Sequence, residues 1–271
     1  MIRVELVKLM RRPRTWVVLA LLNALPTLVA VLLAVTDLGP RPGEGPAFLS
    51  AVLTDGTLYP LAALAIVLPL FMPVAVAVVA GDAVAGEAQT GTLRYILVRP
   101  VSRTRLLVAK LVSVVAFVLL AVVVVAAVGY VVGVLLLGKG DASGLVTGLS
   151  GSSLTTTQVV ERTLLSIGYV TLSMLGVAGL ALFLSTLTDS SLGAALGALV
   201  FLIASTLLLT LDAAAVLQPY LPTRYWLAFV DLFRDPILWR DVLRGLLLQG
   251  VYLTVFLGAA WANFTTKDIT S

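Results

Sequence analysis

The sequence predicts an all-α, polytopic membrane protein with six transmembrane helices, an N-terminal amphipathic interface helix, and a re-entrant or interfacial outer element between spans five and six. Three observations carry this prediction. Of the 271 residues, 60% are hydrophobic and 12% charged, with a mean hydropathy of +1.08; an ordinary soluble domain is about 25% charged. The apolar residues gather into runs of bilayer length at about 16–36, 60–80, 106–137, 164–187, 192–211 and 243–264. The segments between them alternate in charge. With both ends inside, Lys and Arg number 11 inside against 7 outside, and Asp and Glu 5 inside against 9 outside. That positive-inside bias puts both termini in the cytoplasm of a cell membrane, a bacterial inner membrane or plasma membrane. Residues 1–271 read as one transmembrane domain.

Taken in order, the chain opens on 1–14. On a helical wheel Ile2, Leu6, Leu9 and Met10 share one face, and Glu5, Lys8, Arg11 and Arg12 the other. This is the pattern of a helix lying in the inner interface, with Pro13 turning the chain into span one; a basic anchor without fixed structure is the alternative. Span one is too long for a signal-peptide core and no A-x-A-like site follows it, so it reads as a retained anchor. Asn23 and Pro26 interrupt it, at helix contacts. The 39–46 stretch, GPRPGEGP, cannot be helical and forms an outer turn. Span two holds Pro69 and Pro73, four apart, so both freed carbonyls fall on one face and a kink is expected. That pair is a hinge, or two prolines tolerated for structure alone.

Span three is longer than a bilayer needs, and is either tilted or protruding. Its Gly129 and Gly133, like Gly193 and Gly197 in span five, have the G-x-x-x-G spacing that lets helices pack closely. Residues 133–139, GVLLLGK, imitate a phosphate-binding loop, but Gly140 stands where Ser or Thr is needed and no strand precedes it. A Gly/Ser-rich outer loop, 138–153, is expected to be mobile. Spans four and five join through an inner turn at 188–191, where Asp189 is either a helix cap or a contact for a partner below. The 212–241 segment mixes Trp226, Phe229, Phe233 and Trp239 with Arg224, Asp231, Arg234, Asp235 and Arg240. It suits short helices dipping into the outer leaflet. Span six ends in Trp261 and Phe264 as an interface belt, before a tail with Lys267.

Several function classes are disfavoured. The chain has no Cys and no His, which removes thiolate chemistry, Cys ligation, the commonest metal ligand and the usual general base. No ionisable residue lies at the centre of a span, only Asn23, Gln249, Tyr130 and hydroxyls, whereas ion-coupled transporters and proton relays need buried charge there. An intramembrane aspartyl protease would use Asp82, but its possible partners Asp55, Asp189 and Asp212 lie at span ends. Serine chemistry lacks an evident base.

The most informative stretch is 81–110, GDAVAGEAQTGTLRYILVRPVSRTRLLVAK. Asp82 and Glu87 precede Arg94, Arg99, Arg103, Arg105 and Lys110, cations that hold this elbow on the inner side. Residues 83–87 suit a helix, Gly91 breaks it, Thr92 caps a second segment over 93–98, and Pro100 closes that one. A short helix pinned across the base of a bundle is shaped to pass force to a partner below. The order Glu87, Gly91, Thr92, Leu93, then Pro100, Val101, Ser102, Arg103 and Lys110 resembles the signature of type-2 ATP-binding-cassette (ABC) exporter permeases, particularly the short six-span kind.

The resemblance covers the whole chain, from the inner amphipathic start to the element between the last two spans, where that family has a re-entrant helix. It implies a permease subunit, not itself an enzyme, paired with a second permease copy, identical or homologous, and with two copies of a cytoplasmic ATPase. ATP and Mg would be bound by that ATPase; no Walker motif and no cofactor site occur in this chain. The partners would be those subunits and membrane lipid, with no nucleic acid. Glu87, Gly91, Thr92, Leu93, Arg94, Arg99, Pro100, Arg103 and Asp189 would meet the ATPase, and Pro69 and Pro73 would serve as hinge. A hydrophobic or amphipathic drug, lipid or natural product would be moved outward. The alternative within such machinery is force transmission or lipid extraction without a soluble exported substrate.

Overall fold

A computed structural model describes residues 2–36, 52, 55–89, 102–138 and 145–266. Among them are eight α-helices: α1 (Ile2–Arg11), α2 (Pro13–Val35), α3 (Tyr59–Val67), α4 (Phe71–Gln89), α5 (Arg103–Leu136), α6 (Thr156–Leu187), α7 (Ser191–Leu209) and α8 (Trp239–Thr266). Six of these, α2 and α4 to α8, are long and apolar enough to cross a membrane. The chain is an all-α, multi-pass membrane protein.

Local chemistry explains where the helices begin. Pro13 stands at the first turn of α2, where its missing N–H is no loss. Ser102 caps α5 by accepting from the Arg105 N–H at 3.3 Å, and Ser190 caps α7 through the Gly193 N–H at 3.1 Å. Thr155 and Gln158 form a reciprocal capping box that starts α6 eight residues before the predicted span. Helix α5 runs for 34 residues, so the long third span is real.

Span two departs most from expectation. It is broken, not merely kinked: α3 ends at Val67, and α4 restarts at Phe71 after a turn holding Pro69. Pro73 falls in the first turn of α4, where its missing donor is tolerated. At its other end α4 continues to Gln89, so the helix expected over 83–87 is the end of span two, with Asp82 half-buried and Glu87 buried. The half-buried Asn23 donates its amide to Leu19 O of its own helix at 2.7 Å. Pro26 is a helix contact, with its carbonyl accepting from the buried Tyr59 hydroxyl.

Helix α6 lies at the middle of the bundle, packed on α4, α5, α7 and α8, while α3 packs on α2 and α5. The glycine pairs behave differently. A Cβ on Gly129 would stand 2.9 Å from the Ala63 Cβ, and one on Gly133 would collide with the Gly56 carbonyl, so this pair does bring α5 against α3 and the turn before it. Gly193 and Gly197 make no comparable approach. Their added methyl groups would meet their own cap, Ser190, at 3.4 Å and a Leu184 side-chain end at 3.1 Å. The close approach to α7 is made instead by Gly81 of α4, where a Cβ would lie 3.0 Å from the Ala195 backbone nitrogen.

The end of the bundle opposite α1 carries more regular structure than expected. Within the loop read as mobile, β1 (Leu145–Thr147) and β2 (Ser153–Thr155) form an antiparallel hairpin, with Val146 opposite Leu154. Gly151, at φ +76°, supplies the left-handed turn residue that other side chains resist. The Leu149 N–H donates to Phe233 O at 3.2 Å, stitching the hairpin to the 212–241 segment. That segment is a run of 3₁₀ turns, the longest being Trp226–Phe233. Trp226, Phe229 and Phe233 are buried in the protein's own core and not in lipid; Trp239 is exposed. The aromatic residues that suggested a membrane-dipping element plug the mouth of the bundle opposite α1.

Candidate functional site

One end of the bundle gathers α1, the end of α4, the start of α5, the turn between α6 and α7, and the end of α8. Its centre is a set of four charges. Lys110 of α5 pairs with Glu87 of α4 and lies 3.3 Å from Glu5 of α1. Lys8 of α1 stands 3.0 Å from Glu5 and 3.5 Å from Glu87. Glu87 is 8% exposed and Lys110 5%, and the set is neutral overall, which is the condition for burying charge without a large desolvation penalty.

Burial alone would raise the Glu5 pKa, but Lys110 and Lys8 outweigh it and hold the carboxyl below its ordinary 4.5. Burial would likewise lower Lys8, yet Glu5 and Glu87 keep its ammonium above the ordinary 10.5.

This arrangement corrects the expected faces of α1. Glu5 and Lys8 turn inward beside the buried Leu9, while Ile2, Val4, Val7 and Met10 are exposed. The turn after α1 is held by Thr15 and Trp16, which donate to Leu9 O at 2.8 Å and Met10 O at 2.9 Å.

Next to the four charges, Asp82 Oδ2 accepts from Arg12 and Arg14, each at 3.3 Å. Gly86 leaves room for that carboxylate, since a Cβ there would overlap Asp82 Oδ1. Between the α1–α2 turn, α4 and α5 lies a cavity of about 690 Å³. Its charged part is lined by Glu5, Lys8, Arg12, Arg14, Asp82, Glu87 and Lys110, and its apolar part by Val78, Val79 and Val114. Among the described residues no group of three acidic side chains is placed to hold a metal ion.

The elbow's two roots are fixed to the rest of this end of the bundle. At one root, Gln89 Oε1 accepts from the Ser191 hydroxyl at 3.3 Å, bringing the end of α4 against the 188–191 turn. One turn of helix away, Ser185 of α6 reaches into α4. Its hydroxyl accepts from the Val84 and Ala85 N–H groups at 3.1 and 2.9 Å and donates to Gly81 O at 2.6 Å. At the other root, the Arg103 guanidinium donates to Phe264 O and Thr265 O at 3.4 and 3.2 Å, a cation on the carbonyl end of α8. Trp261, expected as part of an interface belt, donates to Thr104 Oγ1 at 3.1 Å, which ties the end of α8 to the start of α5.

Of the predicted contact residues, Gly91, Thr92, Leu93, Arg94, Arg99 and Pro100 lie outside the described residues, as do Val101, the 39–46 turn and Lys267. Asp189 is exposed at the tip of its turn. Glu87 and Arg103 face inward, holding helix ends together. Sequence reasoning missed Glu5, Lys8, Arg12 and Arg14 as partners of the elbow, and Ser185 altogether. The i, i+3 spacing of Glu5 and Lys8, beside Leu9, was the available signal that this face meets protein.

A family model described as a protein of unknown function (DUF2705) matches residues 45–270, and the chain belongs to that family. No curated protein matches it.

Proposed function

We propose that this chain is the membrane subunit of an ATP-driven exporter of the type-2 ABC class, driven through the 81–110 elbow by a separate cytoplasmic ATPase. The observation that carries the reading is that both roots of the elbow are bonded to other helices at the same end of the bundle. Gln89 meets α7, Arg103 meets α8, and the last turns of α4 are tied to α6 through Ser185. A push on the elbow would therefore move five spans and not one loop. Glu87 contributes by holding α1, α4 and α5 together, and Asp189 with Arg94 and Arg99 supplies the surface that meets the ATPase. The apolar spans suit a hydrophobic or amphipathic cargo moved outward, away from a cytoplasm that holds both termini. Asp82, on which a proteolytic reading would rest, is occupied by Arg12 and Arg14.

The test is purification of the tagged chain in mild detergent from its native membrane. An ATPase subunit should accompany it and hydrolyse ATP, and Asp189→Lys or Arg99→Glu should release that subunit while Asp212→Lys at the opposite end does not. Recovery of the chain alone, with no nucleotide-dependent activity, would overturn the assignment.

A further inference from the structure

We infer that the cavity between the α1–α2 turn, α4 and α5 is a binding site for one anionic phospholipid of the leaflet that carries α1, with its phosphate on Arg12 and Arg14. The inference stands apart from the transport assignment and needs only a membrane. It rests first on charge. Glu5, Lys8, Glu87 and Lys110 cancel among themselves, leaving two guanidiniums on a single carboxylate oxygen of Asp82. One positive charge is uncompensated at the cavity wall, and one phosphodiester neutralises it. The Arg12 and Arg14 side chains are 54% and 65% exposed, and each keeps further N–H donors for the paired bonds that Arg makes to phosphate.

The second argument is depth. Helix α4 descends toward the end that carries α1, so Val78 and Val79 lie about one helical turn, roughly 5 Å, deeper in the membrane than Asp82. Helix α5 ascends from it, so Val114 lies one turn deeper than Lys110. Both walls are thus charged at headgroup level and apolar at the level where acyl chains begin, a gradient that a soluble phosphate would have no use for. The volume, about 690 Å³, is in the range of ligand sites and suits a glycerophosphate head with its first methylenes. The exposed Ile2, Val4, Val7 and Met10 put α1 in the interface beside this opening.

The experiment is native mass spectrometry of the purified full-length chain in mild detergent, titrated with phosphatidylglycerol and, in parallel, phosphatidylcholine of the same acyl chains. One phosphatidylglycerol per chain should be retained, about tenfold more tightly than phosphatidylcholine, because the choline cation of the latter already compensates its phosphate and competes with the one uncompensated positive charge of the site. Arg12→Gln with Arg14→Gln should erase that preference, and Arg240→Gln with Arg244→Gln at the other end should leave it intact. Asp82→Asn removes the competing carboxylate and should tighten binding several-fold, a gain that misfolding does not produce. Equal retention in wild type and the Arg12/Arg14 double variant, or weaker binding in Asp82→Asn, would overturn the inference. So would displacement of the lipid by sn-glycerol 3-phosphate at matching concentration, which would mark a site for soluble phosphate.

Discussion

Lys110 is held by two carboxylates in a place where water barely reaches. Replacing it with Met leaves Glu5 and Glu87 facing only Lys8, and an uncompensated buried charge destabilises a fold by about 3 kcal/mol or more. Adding Glu87→Gln leaves the Glu5–Lys8 pair in balance, so the double variant should recover more than half of that loss in thermal unfolding. No recovery would mean that Lys110 matters for packing alone. Titration gives a second prediction. The Glu5 carboxyl is depressed on folding, so its contribution is full above about 4.5 and is lost as pH falls through the lower folded value. Lys8 is raised, so its contribution is full below about 10.5 and is lost as pH rises through the higher folded value. Docking of α1 should accordingly be flat between those limits. A bimane on Met10→Cys, beside the quenching ring of Trp16, should keep constant emission across that window and brighten outside it. A steady drift through neutral pH would contradict the pairing.

At the scale of elements, close packing separates two glycine pairs that look alike in the sequence. Gly133→Ala drives a methyl group into the Gly56 carbonyl and should lower stability by about 1–3 kcal/mol, as overpacking does. Gly193→Ala should stay within about 0.5 kcal/mol; both are measured by thermal unfolding in detergent. The contrast also explains what was legible. All six spans were readable because apolar runs of bilayer length have few other uses, and the long third span was readable for the same reason. Boundaries were less so. Residues 83–87 read as a short helix of the elbow and not as the end of span two, because Asp82 and Glu87 are satisfied by the α1–α2 turn, α1 and α5, elements too distant in the chain for local pattern to reveal. The aromatic residues at 226–233 looked like lipid anchors because composition does not distinguish a residue facing lipid from one facing its own bundle. Ser185 left no signal, since a serine in a membrane helix usually bonds its own backbone, and only the folded bundle shows that its partner is α4.

At the scale of the whole molecule, chain direction places α1, Gln89, Arg103, Asp189 and the end of α8 on one side, and the hairpin with the 212–241 segment on the other. The sequence has no Cys, so any introduced thiol is unique. Thiols at Arg3 or Asp189 should be shielded in intact cells from an impermeant maleimide, and one at Val216 should react; the reverse pattern would invert the proposed topology. The broken second span has a further consequence. Its first piece, α3, is wedged against α5 where Gly129 and Gly133 admit no slack, whereas its second piece, α4, is a rod of 19 residues, about 28 Å long, packed on α6 and α7 and bonded to both near its far end through Ser185 and Gln89. Were the Pro69 break to bend by only about 10°, the Gln89 end, with the α6 and α7 ends bonded to it, would move sideways by about 5 Å, roughly one turn of helix pitch. Such leverage converts a small rotation into a stroke as large as the spacing between neighbouring side-chain ridges, without unwinding a single turn of α4.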